Sequence, residues 1–310
     1  MKNKILVIAG PTAVGKTSLS IELAKALDGE IVSADSMQIY KGLNIGTAKP
    51  TDSEKNGVPH HMLDICTPEQ RFSVAQYVKL ANSAIEEIIN RNKTPIVVGG
   101  TGLYIDNLIY DNDFGELNVD VDLREELTAI AREKGGEYLL NQLLEFDPEY
   151  AAKLHPNDIK RIVHAIEIYR TTGKTQSEMI ALSRKKPSRY SFLYAVLDCS
   201  SRSILYERIN KRVDIMMEEG LLDEARAVIR SDWYSISTAS QAIGYKEFEP
   251  YFNGTSSLDD CIELLKQHSR NYAKRQLTWF RNKKEAKFYF VDTEENLKSR
   301  IMSDFFKENQ

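Results

Sequence analysis

Short apolar runs alternate with amphipathic stretches along the first third of the chain. Residues 5–9 form an apolar run that stops at Gly10, the pattern of a strand buried on both faces. Residues 18–27 then carry Leu19, Ile21, Leu23, Ala24 and Leu27 at helical spacing, and Asp28-Gly29 ends that helix. A second strand is predicted over 30–34, a helix over 73–92 with Ala75, Val78, Ala81, Ile85 and Ile88 on or near one face, and a third strand over 95–98 running into Gly99-Gly100. Strand, helix, strand, helix, strand is the pattern of a parallel sheet with right-handed crossovers.

From about Asp111 the texture becomes charged and helix-rich, with helices predicted over 122–134, 138–145 and 158–171. A strong strand returns over 190–197 and ends at Asp198. Helices interrupting a strand pattern predict an insertion at roughly 112–188, carried by a core made of 1–111 and 189–310. From Arg202 onward the tail reads as helical, with glycine-marked breaks at Gly244 and Gly254. The fold class is therefore α/β, a parallel sheet flanked by helices with an inserted helical domain and a helical C-terminal region.

Composition narrows the function classes. At 310 residues the chain can hold two domains and a sizeable core. Lys+Arg 41 against Asp+Glu 45 gives a net charge of −4, so any nucleic-acid surface must be local rather than global. No apolar run approaches the roughly 20 residues of a membrane span. The N-terminal apolar stretch is short and lacks a small-residue cleavage site, so it does not read as a secretory leader. Cys66, Cys199 and Cys261 are far apart and form no CxxC pair, which disfavours a disulfide framework or a zinc site and suits a reducing, cytoplasmic setting. His60 and His61 are adjacent, so on an extended segment they face opposite ways and do not make a metal pair.

The chemistry starts at Gly10-Pro11-Thr12-Ala13-Val14-Gly15-Lys16-Thr17, a GxxxxGK[ST] phosphate loop lying between a predicted strand and a predicted helix. Backbone N–H groups and the helix N-terminus converge on an anion, Lys16 neutralises further charge, and Thr17 can ligate Mg²⁺. In a nucleoside triphosphatase an apolar strand commonly ends in an aspartate that organises the metal. Here the 95–98 strand ends in Gly99-Gly100-Thr101-Gly102 instead, leaving Asp35 and Asp198 as the carboxylates at strand ends. Asp35 opens Asp35-Ser36-Met37-Gln38 at the sheet edge that also bears the phosphate loop; the alternative for each aspartate is a cap of the following turn or helix.

Beyond this point the residues resemble a known family. GPTAVGKT, the stretch EIVSADSMQIYKGLNIGTAKP at 30–50, VPHHMLDI at 58–65, VVGGTGLY at 97–104, QAIGYKEF at 241–248 and YAKRQLTWFR at 272–281 are similar to the motifs of tRNA dimethylallyltransferases, also called tRNA isopentenyltransferases, in the family's order. The resemblance implies that the loop holds the diphosphate of dimethylallyl diphosphate and that the five-carbon group passes to N6 of adenosine 37, immediately 3′ of the anticodon, with release of diphosphate. It also implies Asp35 as general base, Thr101 holding the amine or the diphosphate, and Arg208 and Arg212, four apart on one helix face, reaching the leaving group; the plainer reading of those arginines is surface pairing with Glu207 or Asp214. The short bacterial form, acting as a monomer with Mg²⁺, is what it implies for the assembly.

For the tRNA, the resemblance places Asp35, Ser36, Met37 and Gln38 against the target base, and a glutamine amide can bond bidentately to an adenine edge, which makes Gln38 the specificity candidate. Arg124 matches a family arginine. Asn157-Asp158 through Lys160, Arg161 and His164 resembles a further segment in which His164 replaces an arginine, so a contact there should depend on pH. Arg270, Lys274 and Arg281, spaced by four and seven, form a candidate phosphate-contacting stripe, with Trp279 and Phe280 anchoring the helix in the core. A second cluster, Arg184, Lys185, Lys186 and Arg189, reads equally as RNA contact or solvated linker. A small-molecule or nucleotide kinase would share the loop, the insertion and the arginines, yet leaves the DSMQ segment and the basic helix unexplained. A GTPase-like RNA-binding module is disfavoured because no N-K-x-D segment is present.

Overall fold

The computed structural model describes residues 2–110, 121–183, 188–235 and 237–307. The chain divides into two compact units, Met1–Ile109 with Arg189–Gln310, and Tyr110–Ser188. The first unit opens with β1 (Lys4–Ala9), α1 (Lys16–Ala26), β2 (Gly29–Ser33), the single-turn α2 (Asp52–Lys55), the two-residue β3 (His60–His61), α3 (Val74–Asn90), β4 (Thr94–Gly99) and α4 (Gly102–Ile109). The second unit holds α5 (Val121–Lys134), α6 (Gly136–Phe146), α7 (Pro148–Ala151), α8 (Ile159–Thr172) and α9 (Gln176–Ser183). The first unit resumes with β5 (Ser191–Asp198), α10 (Arg202–Glu218), α11 (Leu221–Ile229), α12 (Glu249–Phe252), α13 (Leu258–Arg281), β6 (Ala286–Phe290) and α14 (Leu297–Lys307).

All pairings in the six-stranded sheet are parallel, in the order β3-β2-β4-β1-β5-β6. β1 is central because its run of aliphatic residues is buried on both faces, and it pairs with β4 (Val7 opposite Val97) and β5 (Lys4 opposite Ser191). The carboxyl ends of β1, β2 and β4 therefore lie side by side, and the loops that leave them share one edge of the sheet. β2 and β4 approach so closely there that a Cβ on Gly99 would come within 2.1 Å of the Ala34 carbonyl oxygen. The α3 helix starts where Ser73 and Gln76 form a capping box.

Two expectations need correction. The helix after the phosphate loop begins at Lys16 rather than at 18, because Gly15 takes the left-handed conformation (φ 100°) and serves as N-cap itself. The tail is not wholly helical: residues 286–290 add β6 at the sheet edge. That strand is half-exposed at Ala286, Lys287 and Phe288, so its sequence lacks the apolar run of a central strand. His60 and His61 go to separate partners, Val58 O (2.8 Å) and Glu30 Oε2 (2.7 Å). The three cysteines are buried and free. No described helix is long and apolar enough to cross a membrane.

The helical unit has its own core, built from Leu127, Leu139, Leu143, Ile162 and Ile166 with neighbours. Within it the buried Glu167 accepts from Arg124 through Nε (3.1 Å) and Nη2 (2.5 Å), and His164 Nδ1 lies 3.4 Å away. Arg124 thus serves an internal ion pair rather than standing free for phosphate, while Lys160 and Arg161 are exposed on α8. Arg184, Lys185 and Lys186 lie outside the described residues. Arg189 pairs with Glu86.

Candidate active site

Two cavities open along the sheet edge that carries the loops. The larger, about 430 Å³, is walled by the phosphate loop and the first turn of α1, including Ala13, Gly15, Lys16 and Thr17. The first turn of α1 holds no acidic side chain and no side-chain cap, so its N–H groups and their positive potential are directed at this space. The smaller, about 220 Å³, has an apolar side from Ile209, Val213, Met216 and Leu265 and a polar side from Ser36, Gln241 and Lys246. Thr12, Asp35, Thr47, Arg212 and Tyr272 line both, so the cavities meet at those five residues.

Gly10 is required where it stands, since its φ is 148° and a Cβ would lie 2.6 Å from Leu197 O. Lys16 Nζ donates to Gly10 O (3.0 Å) and Pro11 O (2.7 Å). Burial, with the Arg212 charge adding to it and the Asp35 charge opposing, lowers its pKa to about 7. Arg212 donates to the Thr12 hydroxyl, and burial lowers its pKa to about 10 against the opposing charge of Asp35. Asp35 Oδ1 accepts from Met37 N (2.9 Å) and Gln38 N (3.3 Å), so the turn-cap reading is correct for that oxygen. Among the described residues Oδ2 has no hydrogen-bond partner, and Asp35 faces both cavities.

Several predicted residues lie near the cavities but act differently from expectation. Gln38 Nε2 donates both hydrogens, to Thr47 O (3.1 Å) and Ala48 O (3.0 Å), while Oε1 receives Ser33 Oγ at 3.3 Å. A bidentate bond to a base edge would have to break these, so Gln38 here holds the 38–48 loop closed. Thr101 lines neither cavity; its hydroxyl accepts from Ser36 N (3.1 Å) and braces the Asp35 turn from behind. Arg208 donates to Val14 O (3.3 Å) and supports the back of the phosphate loop. Asp198 is engaged with Cys199 N and Arg281. The stripe on α13 is partly tied down: Arg270 donates to Asn210 Oδ1 (2.7 Å) and Arg281 to Asp198, which leaves Lys274 exposed.

Two participants were not foreseen. Gln276 Oε1 accepts from Thr12 N (2.9 Å) and its Nε2 donates to Gly100 O (3.0 Å), joining the phosphate loop to the loop after β4. Tyr272, one turn earlier on α13, reaches the junction; its phenol is pushed well up by burial and by the Asp35 charge, with Thr101 and Gln276 as partners. The four-residue spacing of Tyr272 and Gln276 was the available signal. Trp279 anchors the helix as expected, donating Nε1 to Asp106 Oδ2 (2.8 Å).

Comparison with known proteins places this geometry. The family model described as IPP transferase matches residues 38–283. The tRNA dimethylallyltransferase of Bacillus subtilis is 48% identical over 288 residues, covering 93% of this chain and 91% of that protein. The enzyme of the same name from Acetivibrio thermocellus is 48% identical over 293 residues, 94% and 93% of the two chains. Among solved structures, the full-length tRNA isopentenylpyrophosphate transferase of Bacillus halodurans aligns with TM-score 0.73 at 42% identity, covering 99% of this chain and 98% of that one. A eukaryotic dimethylallyltransferase acting on tRNA aligns with TM-score 0.84 at 33% identity, over 99% and 80%. A match over most of the length, at near half identity and with the cradle and the Asp35 turn in place, shows that this chain belongs to the IPP transferase family.

Proposed function

We propose that the protein transfers the dimethylallyl group of dimethylallyl diphosphate to N6 of the adenosine 3′-adjacent to the anticodon of tRNA, forming N6-dimethylallyladenosine and releasing diphosphate. The observation that carries this reading is the meeting of a phosphate cradle and a second, partly apolar cavity at one carboxylate, Asp35. The diphosphate occupies the cradle of residues 10–17, the allylic carbon lies at the junction, and the extruded adenine enters from the smaller cavity. An exocyclic amine is a weak nucleophile. As the C–N bond forms, Asp35 Oδ2 takes the N6 proton while the C–O bond to the diphosphate breaks. Negative charge growing on the leaving group is met by the loop amides, Lys16 and Arg212.

Thr17, one hydroxyl at the cradle, is a donor suited to Mg²⁺, which keeps several waters and is held mainly by substrate phosphates. Bound there, Mg²⁺ would supply further charge neutralisation of the diphosphate. Exposed Lys160, Arg161 and His164 on the helical unit and Lys274 on α13 are candidates for tRNA phosphate contacts.

The test is incubation with unmodified tRNA and labelled dimethylallyl diphosphate, with a parallel reaction on ATP. Label in the tRNA supports the reading; ATP turnover without label would overturn it. Diphosphate binding should also take up a proton. An anion in the cradle favours charged Lys16, so its pKa rises from about 7 on binding, and affinity should fall as pH rises above that value. Calorimetry at pH 8 in two buffers of different ionisation enthalpy should show uptake approaching one proton beyond that of the free ligand. The same excess should be missing in Lys16→Arg, and an equal result in both proteins would contradict it.

A further inference from the structure

Gly46 and Thr47 line the smaller cavity together with Asp35, and an acid outside both cavities holds that stretch of wall in place. Glu224, on α11, accepts from three consecutive backbone amides: Asn44 N (3.1 Å) and Ile45 N (3.0 Å) through Oε2, and Gly46 N (2.9 Å) through Oε1. Tyr245 OH donates a fourth bond to Oε1 at 2.9 Å. Consecutive N–H groups converging on one anion form a nest, and hydrogen bonds to an ionised acceptor are roughly twice as strong as neutral ones.

The same loop is fixed from its other end. Gln38 Nε2 holds Thr47 O and Ala48 O, and Lys49 Nζ holds Tyr40 O (2.8 Å) and Asn44 Oδ1 (3.0 Å). Tyr245 closes over Gly46 so tightly that a Cβ at Gly46 would lie 2.7 Å from its ring. Glu224 is thus the point at which α11, the Tyr245 turn and the 44–47 loop are tied together, although it touches neither cavity.

We infer that Glu224 is a positioning residue: through the amides of 44–46 it sets the distance between the Gly46–Thr47 wall and Asp35, and so the placement of the acceptor base. This rests on the reaction proposed above. Loss of the clamp should displace the acceptor while leaving the diphosphate cradle in place: Glu224 bonds no residue of 10–17, and Thr47 and Ala48, which also line the larger cavity, keep their bonds to Gln38. A misplacement of about 1 Å can cost on the order of 10²-fold in rate.

Glu224→Gln keeps the size and shape of the side chain but turns an N–H₂ group towards backbone donors. In this variant, hydrogen exchange at residues 44–46 should speed up by at least about tenfold. kcat with tRNA should fall by roughly 10²-fold, and the affinity for inorganic diphosphate should stay within about twofold of wild type. Unchanged exchange at 44–46, or a fall in diphosphate affinity matching the fall in kcat, would overturn the inference. Should exchange rise uniformly across β1 and β4, showing general unfolding, Tyr245→Phe decides. That variant removes one of the four bonds, and faster exchange confined to 44–46 with a several-fold lower kcat supports the clamp, whereas wild-type exchange refutes it. If wild-type protein fails to label tRNA, the proposed reaction falls, and the exchange data alone still settle whether Glu224 holds the loop.

Discussion

Replacing Asp35 with asparagine should lower turnover by roughly 10²–10⁴-fold, the usual contribution of a general base, with little change in diphosphate affinity. Asparagine is the informative choice because Asp35 has two separable jobs. Its Oδ1 accepts from Met37 N and Gln38 N, and an amide oxygen can keep both bonds. Its Oδ2 is the free acceptor at the junction, and there an amide can no longer take a proton. Asp35→Ala should lose the turn as well, so it should be both slower and less stable than Asp35→Asn. Single-turnover prenylation of tRNA at saturating substrates, with thermal melts of both variants, measures the two effects. Near-normal turnover in the asparagine variant would reduce Asp35 to a turn cap.

Arg212→Ala is the second large effect. Among the described residues Arg212 is the one cation that lines both cavities, and it is anchored by its bond to the Thr12 hydroxyl. Removing a group aimed at the developing charge costs about 10²–10³-fold in kcat. Because the same guanidinium also lines the larger cavity, where the diphosphate is proposed to sit, affinity for that product should weaken together with kcat, unlike the Asp35→Asn result. Arg212→Lys should recover only part of the loss, since an ammonium lacks the planar fork that holds Thr12 and a phosphate oxygen together. Added guanidinium ion should restore some turnover to Arg212→Ala and none to Asp35→Asn. Equal kcat for Arg212→Ala and wild type would remove Arg212 from the leaving-group site.

The parts of the fold readable from the sequence were those with local causes. The strands over β1, β4 and β5 announce themselves because they are buried on both faces, and α3 is marked by its amphipathic face. β6 escaped because an edge strand needs no apolar run, and β3 because two residues leave no pattern. The same division holds in the site. The phosphate loop and the Asp35 turn are contiguous segments whose chemistry follows from their own residues. Gln276 meets Thr12 from the far end of the chain, and Glu224 meets 44–46 across a long gap as well; helical spacing puts Tyr272 and Gln276 on one face, but no local pattern names Thr12 or 44–46 as the partners. The same holds for the basic stripe on α13: helical spacing predicts which residues share a face, but not that Asn210 accepts from Arg270 and Asp198 from Arg281.

The place of β1 at the centre of the sheet has a consequence for biosynthesis. Lys4 pairs with Ser191, so the first strand to leave the ribosome waits for one of its two neighbours until most of the polypeptide has been made. At translation speeds of roughly 5–20 residues per second, that delay is about 10–40 s. Throughout it, an aliphatic edge ready to pair with any passing strand is uncovered, and the nascent chain must be shielded by a chaperone or by transient collapse. A message truncated before the later half would encode the residues of the anion cradle without Arg212 or Tyr272, and it would leave the β5 edge of β1 without its partner.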